Sequence, residues 1–158
     1  MAIYEYRGLA INVAENDTEY AGYFKAARDH RLVVQRCLDC KLLRAEPGAG
    51  CPWCPCLRWD WHTVSGEGSV YSYQIVSHSA LAEFRDWTPF PIVLVELDEQ
   101  RGQPAPGDGL RFTANLLDRN FKPELEQNVA IGKRVEVIFM DLTSGLTLPQ
   151  FRLLEEAP

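Results

Sequence analysis

The chain has 158 residues, 46% of them apolar, a composition that suits one ordinary domain or two small ones and excludes a disordered chain. No run reaches the roughly 20 apolar residues of a membrane helix. The most apolar stretch is Ile92–Leu97, and Glu5 and Arg7 stand where a signal peptide would have its apolar centre, so a cytoplasmic location is expected. The formal charge of −6 is uneven, with −3 over residues 1–22, +3 over residues 23–62 and −6 over residues 63–158; such an acidic C-terminal part disfavours general nucleic-acid binding, and an anionic ligand would be welcomed only in the middle segment.

Residues 1–16 read as an N-terminal arm, apolar but without a helical period, either extended or a strand, and either packed on its own chain or laid on a partner. Residues 17–30 read as one helix, because Tyr20, Tyr23, Phe24 and Ala27 fall on one face. Asn16 with Glu19 suggests a capping box, Asp17 places negative charge at the positive end of the dipole, and His30 suits the other end.

Residues 17–62 form the second expected unit, helix plus ribbon. All five cysteines lie between positions 37 and 56. An odd, clustered set in a chain read as cytoplasmic argues for metal and against a disulfide scaffold. Cys37-Leu38-Asp39-Cys40 and Cys51-Pro52-Trp53-Cys54 are two C-x-x-C knuckles ten residues apart. Each knuckle offers two sulfurs while its turn amides point at them. Zn2+ prefers this closed set, which leaves no position for a reacting water, so the site is structural. Iron is the competing ion, since sulfur ligands do not exclude it. Cys56 is surplus; it competes with Cys54, which keeps the knuckle spacing.

Residues 63–158 read as a barrel. Tyr71, Tyr73 and Ile75 alternate with polar neighbours, and residues 91–97 look buried on both faces. Leu110, Phe112, Ala114 and Leu116 alternate, as do Val135, Val137 and Phe139. Thr147–Leu153 is a last strand in which Pro149 implies an edge or a bulge. Five strands fit an oligonucleotide/oligosaccharide-binding (OB) barrel. In the loop from Ser77 to Pro91, Phe84, Trp87 and Phe90 either cap the barrel end or form a partner contact.

No catalytic set is expected. His30, His62 and His78 each have a structural reading, and no Gly-x-Ser-x-Gly, phosphate loop or paired-carboxylate pattern occurs.

Taken in order, Tyr23-Phe24, the Cys37–Cys54 ribbon, Gly66-Glu67-Gly68-Ser69-Val70, Pro91–Leu97, Ile131-Gly132 and Thr147–Arg152 resemble the acyl-CoA-associated zinc-ribbon/OB-fold family, also filed as domain of unknown function thirty-five. Two departures are Lys41, where the family often has Gly, and the insert Gln100–Asp108. The resemblance implies a mainly β fold: an N-terminal helix, a rubredoxin-like zinc ribbon and a five-stranded OB-fold barrel. It also implies a non-catalytic accessory subunit in a hetero-oligomer with a thiolase-like acyl-CoA enzyme. Such a subunit bridges catalytic chains in acyl transfer, thiolysis or retro-aldol cleavage, with acyl-CoA shared between the chains. Two other expectations remain: a nucleic-acid-binding ribbon/OB module, and a stand-alone CoA binder with Arg36, Lys41 or Arg44 on the CoA phosphates.

Overall fold

A computed structural model describes residues 2–154. The chain opens with a hairpin, β1 (Ala2–Tyr6) and β2 (Leu9–Val13), closed by a two-residue turn. Arg7 and Gly8 both take positive φ, 54° and 84°, as the twist of a tight hairpin requires. The arm therefore packs on its own chain: the Arg7 guanidinium reaches the Glu83 carbonyl and the Asp86 carboxylate, and Ser144 Oγ donates to the Glu5 carbonyl at 2.9 Å.

Helix α1 spans Ala21–Arg28, shorter than the predicted 17–30. The expected capping box is not made. Tyr20 is the N-cap residue with no side-chain cap bond, while the Asp17 carbonyl receives the N–H groups of Tyr20 and Ala21 at 3.0 and 2.8 Å. Residues 17–20 thus turn rather than wind. At the other end His30 takes φ 53° and donates its N–H to the Ala27 carbonyl at 2.9 Å, while Arg31 N–H reaches Ala26 at 3.0 Å. This is a Schellman closure with histidine in the left-handed place usually held by glycine. The His30 ring stacks on Phe139, 5.2 Å between centroids, and its Nε2 lies 2.9 Å from the Asp141 carboxylate, so the cap ties the helix to the barrel.

The ribbon is a three-stranded sheet of β3 (Val33–Cys37), β4 (Leu43–Arg44) and β5 (Trp59–Thr63) in the order β4-β3-β5. Helix α1 crosses it where Gly22 meets the Trp61 indole. A Cβ at position 22 would lie 2.0 Å from Trp61 Nε1, so glycine is required by space.

The remaining strands are β6 (Glu67–Val76), β7 (Phe90–Leu97), β8 (Arg111–Asn115), β9 (Arg134–Asp141) and β10 (Thr147–Leu153). They run antiparallel in the order β10-β9-β6-β7-β8. A parallel bridge from Leu116 to Phe151 nearly closes the sheet into a five-stranded barrel. Val70, Val93, Val95, Leu97, Leu110, Leu116, Val135 and Phe151 fill it, joined by Leu32, Val34 and Leu43 from the ribbon side. Ribbon and barrel therefore share one core. Pro149 lies on β10, whose named-strand pairing is with β9 alone, so its missing N–H costs no ladder bond.

One expectation about the strands is corrected here. Residues 91–97 are not buried on both faces: Val93, Val95 and Leu97 are sealed, whereas Ile92, Leu94 and Glu96 are half-buried. Tyr71 and Tyr73 do not enter the core. Strand β6 pairs with β9 only through Glu67–Ser69, and its register with β7 shifts between Val70 and Ser72. Beyond that bulge β6 runs on with β7 alone, leaving both tyrosines exposed. No helix among the described residues is long and apolar enough to cross a membrane.

Candidate metal centre and its surroundings

Strand β3 delivers Cys37 to the first knuckle, and the chain turns back at once: Cys37 N–H donates to the Leu42 carbonyl at 3.0 Å and Lys41 N–H to the Cys37 carbonyl at 3.1 Å. Lys41 sits at φ 65°, a conformation glycine adopts without strain. This turn is why glycine suits the position marked as a departure. The lysine is held there by its Nζ, 2.5 Å from the Leu38 carbonyl. In the second knuckle Cys51 N–H donates to the Cys56 carbonyl at 2.8 Å.

The knuckles face each other. The sulfurs of Cys37, Cys40, Cys51 and Cys54 all lie within 4.8 Å of one another, and Cys37–Cys54 and Cys40–Cys51 are each 3.5 Å apart. That is far beyond a disulfide bond of about 2.05 Å. It is close to the edge of a tetrahedron built on zinc–sulfur bonds of about 2.3 Å, roughly 3.8 Å. Four cysteines so placed can hold one metal ion, with every position filled by protein.

The protonation balance points the same way. Burial opposes a charge on Cys37, but the Cys40 and Asp39 amides and the Cys54 thiol outweigh it and bring Cys37 down to about 6. At Cys40 the Leu42 amide favours the thiolate, yet burial and the thiols of Cys51, Cys37 and Cys54 prevail and push it up to about 12. Like charges this close cannot all form without a cation among them. Cys56 stands outside the set, its sulfur 3.3 Å from the Arg58 N–H.

The three basic residues offered to CoA phosphates separate. Arg44 is only 7% exposed. Its Nε donates to Gln35 Oε1 at 2.6 Å and its Nη2 to the Gly48 carbonyl at 2.6 Å, and its Nη1 reaches the Gly50 carbonyl. Gln35, itself fully buried, also receives the Gly48 N–H at 2.9 Å. This pair braces the loop between the knuckles, a role that charge counting in the sequence missed. Arg36 forms a two-pronged pair with Asp60 at 3.0 and 2.6 Å. Lys41 is exposed.

A cleft of about 250 Å³ opens where α1, the ribbon and β8 meet, lined by Tyr20, Tyr23, Phe24, Glu46, Pro47 and Phe112. Burial first, and the Glu46 carboxylate second, push the Tyr23 phenol up to about 12, so it remains a neutral donor. The apolar helix face was legible; that Phe112 closes the far wall was not.

Phe84 and Trp87 lie in a short 3-10 turn, Ala82–Trp87, and pack with Phe90 at 6.1 Å each. The chain's own Tyr6 stands edge-on to Phe84 and Trp87 at 5.8 and 6.4 Å. The three histidines sit apart: His30 on Asp141, His62 on β5 and His78 exposed after β6.

Residues 61–140 match a family model described as ChsH2, C-terminal OB-fold domain. A probable enoyl-CoA hydratase alpha subunit of Thermomonospora curvata is 37% identical over 132 residues, covering 84% of this chain. The chain spans about a third of that relative, 36% of its length. A DUF35 domain-containing scaffold protein of Methanocaldococcus jannaschii is 32% identical over 109 residues, 68% of this chain and 67% of that protein. Among solved structures, the Ltp2-ChsH2(DUF35) aldolase matches with a TM-score of 0.70 and 35% identity, over 87% of this chain and 95% of that one. A DUF35-family protein of Sulfolobus solfataricus shares the fold at a TM-score of 0.53 and 14% identity.

Proposed function

Because the chain belongs to the ChsH2/DUF35 family of zinc-ribbon/OB-fold proteins, we propose that it is a non-catalytic, zinc-binding accessory subunit of a thiolase-type acyl-CoA complex. In this reading it bridges the catalytic chains and shapes the channel that holds the acyl-CoA. The reactions open to such a complex are acyl transfer, thiolysis and retro-aldol cleavage of a carbon–carbon bond.

The observation that carries the reading is the match to the Ltp2-ChsH2(DUF35) aldolase, which spans nearly all of that chain. The scaffold-protein and hydratase-subunit names of the relatives support a subunit role. The side chains agree with it: the four converging thiols form a closed set suited to holding an ion. Zinc is the assigned ion because four sulfurs leave it no open position and it adds no redox chemistry. It would bind through Cys37, Cys40, Cys51 and Cys54 and stabilise a ribbon whose own core is small. For CoA shared with the partner, Lys41 is the exposed base and Arg36 the paired one, while Arg44 is committed to the ribbon interior.

The test is co-expression with a thiolase-like, aldolase or hydratase subunit from the same genome. A hetero-oligomer that co-elutes and needs this chain for full acyl-CoA turnover is expected. Separate elution, with turnover unchanged when this chain is omitted, would sink the proposal.

A further inference from the structure

The hairpin β1–β2 forms a sheet of its own; among the described residues no ladder joins it to the ribbon or the barrel. An isolated two-strand hairpin is marginal in water, so contacts at its tip decide where it rests. Those contacts form a socket. The Arg7 guanidinium carbon lies 4.5 Å from the centroid of Trp87 and 5.3 Å from that of Phe84. Its Nε and Nη2 donate to the Glu83 carbonyl at 2.9 and 2.7 Å, and Nη2 also meets the Asp86 carboxylate. Two ring faces, a carbonyl and a carboxylate around one planar cation are the features by which proteins read arginine. Tyr6 fills the space beside it against Phe84 and Trp87.

The fit is incomplete. The Tyr6 hydroxyl is buried with no hydrogen-bond partner among the described residues, which opposes closure. Ile3 is 72% exposed, so the arm buries only part of its apolar surface. Beyond this tip the arm is tied by single exposed contacts, Ser144 Oγ on the Glu5 carbonyl and Arg28 on the Tyr4 hydroxyl and the Glu15 carboxylate, so the tip can lift without disturbing the barrel.

We infer that the loop from Ser77 to Phe90 carries a receptor for an arginine-bearing turn, and that the chain's own Tyr6-Arg7-Gly8 turn is its detachable occupant. When the arm lifts, the faces of Phe84 and Trp87 are uncovered beside the Asp86 carboxylate, which is already exposed. The occupancy claim stands independently of the complex proposed above. It predicts what the receptor reads: a guanidinium beside an aromatic ring.

Hydrogen exchange on the full chain tests it, comparing wild type with Arg7→Ala and Asp86→Ala. Both variants are expected to speed exchange about tenfold or more at Gly8–Val13 and Phe84–Thr88 together, with barrel strands unchanged, as for a local opening. A synthetic peptide of residues 2–13, added to the Arg7→Ala chain, should restore protection at Phe84–Thr88; the same peptide with Arg7→Ala should not. Unchanged exchange in both variants overturns the inference, as does acceleration spread evenly over the barrel. So does a peptide series in which arginine makes no difference.

Discussion

The side-chain amide of Gln100 clasps the backbone of Leu43. Its Oε1 accepts the Leu43 N–H at 2.5 Å and its Nε2 donates to the Leu43 carbonyl at 2.7 Å. A residue in the loop after β7 thereby completes the open edge of the ribbon strand β4, as a neighbouring strand would. Gln100 takes φ 65° to do so. The insert beginning at this residue is a strut between ribbon and barrel, not merely a longer loop.

Gln100→Ala leaves both backbone groups of the buried Leu43 without partners. Each unmet group of this kind costs about 1–3 kcal/mol. Partial access of water lowers the sum, so a loss of about 1–3 kcal/mol in unfolding free energy is expected. Urea denaturation followed by tryptophan fluorescence measures it. A change within error would mean that the clasp is dispensable.

Removing single cysteines separates the metal set from the surplus thiol. Cys37→Ser or Cys51→Ser should abolish stoichiometric metal and unfold the ribbon, because ion binding supplies roughly 10–16 kcal/mol to small modules of this kind. Cys56→Ser should keep one ion per chain, since its sulfur lies outside the cluster. Elemental analysis of the purified variants, with circular dichroism before and after a chelator, reads both outcomes. Iron in place of zinc would show directly as colour and in the elemental ratio.

What the sequence revealed was what depends on near neighbours. Paired knuckles and period-2 strands are local patterns, and they located the four cysteines that converge and all five barrel strands. The hairpin was illegible because Arg7 is not a turn residue by propensity. It is held at φ 54° by Glu83 and Asp86, far along the chain. That Tyr71 and Tyr73 stay exposed was not legible, because alternation cannot show that β6 parts from β9 after Ser69. Arg44 looked like a phosphate ligand because a count of charges does not show that Gln35, Gly48 and Gly50 turn their oxygens toward it.

Asp98 gives the fold an acid-sensitive tie. It receives both outer nitrogens of Arg134 at 2.7 and 2.6 Å and one from Arg101 at 2.7 Å. The Arg134 hydrogen bonds, chiefly, hold its carboxyl below the usual range against a smaller burial effect. A depressed folded pKa contributes stability above the unfolded value, about 3.9. That contribution fades as pH falls through the folded value. Asp98→Asn should therefore be less stable at pH 7, by under about 1 kcal/mol because the group is partly exposed. Its stability should converge on wild type only once the pH has fallen below that depressed folded value. Parallel pH profiles of the two proteins would contradict this assignment.

Gly22→Ala pits helix propensity against space. In an exposed helix the change would gain about 1 kcal/mol. Here the new methyl would sit 2.0 Å from Trp61 Nε1 and 2.4 Å from Cε2, atoms of a rigid ring that also packs edge-on to Trp59 at 5.4 Å. The indole cannot swing aside without disturbing β5, so α1 must move off the ribbon. Overpacking of this kind costs typically about 1–3 kcal/mol and sometimes more, which exceeds the propensity gain. A net loss of about 1–2 kcal/mol is expected. If the variant is instead more stable, the contact is softer than the geometry requires, and α1 is not seated by Trp61.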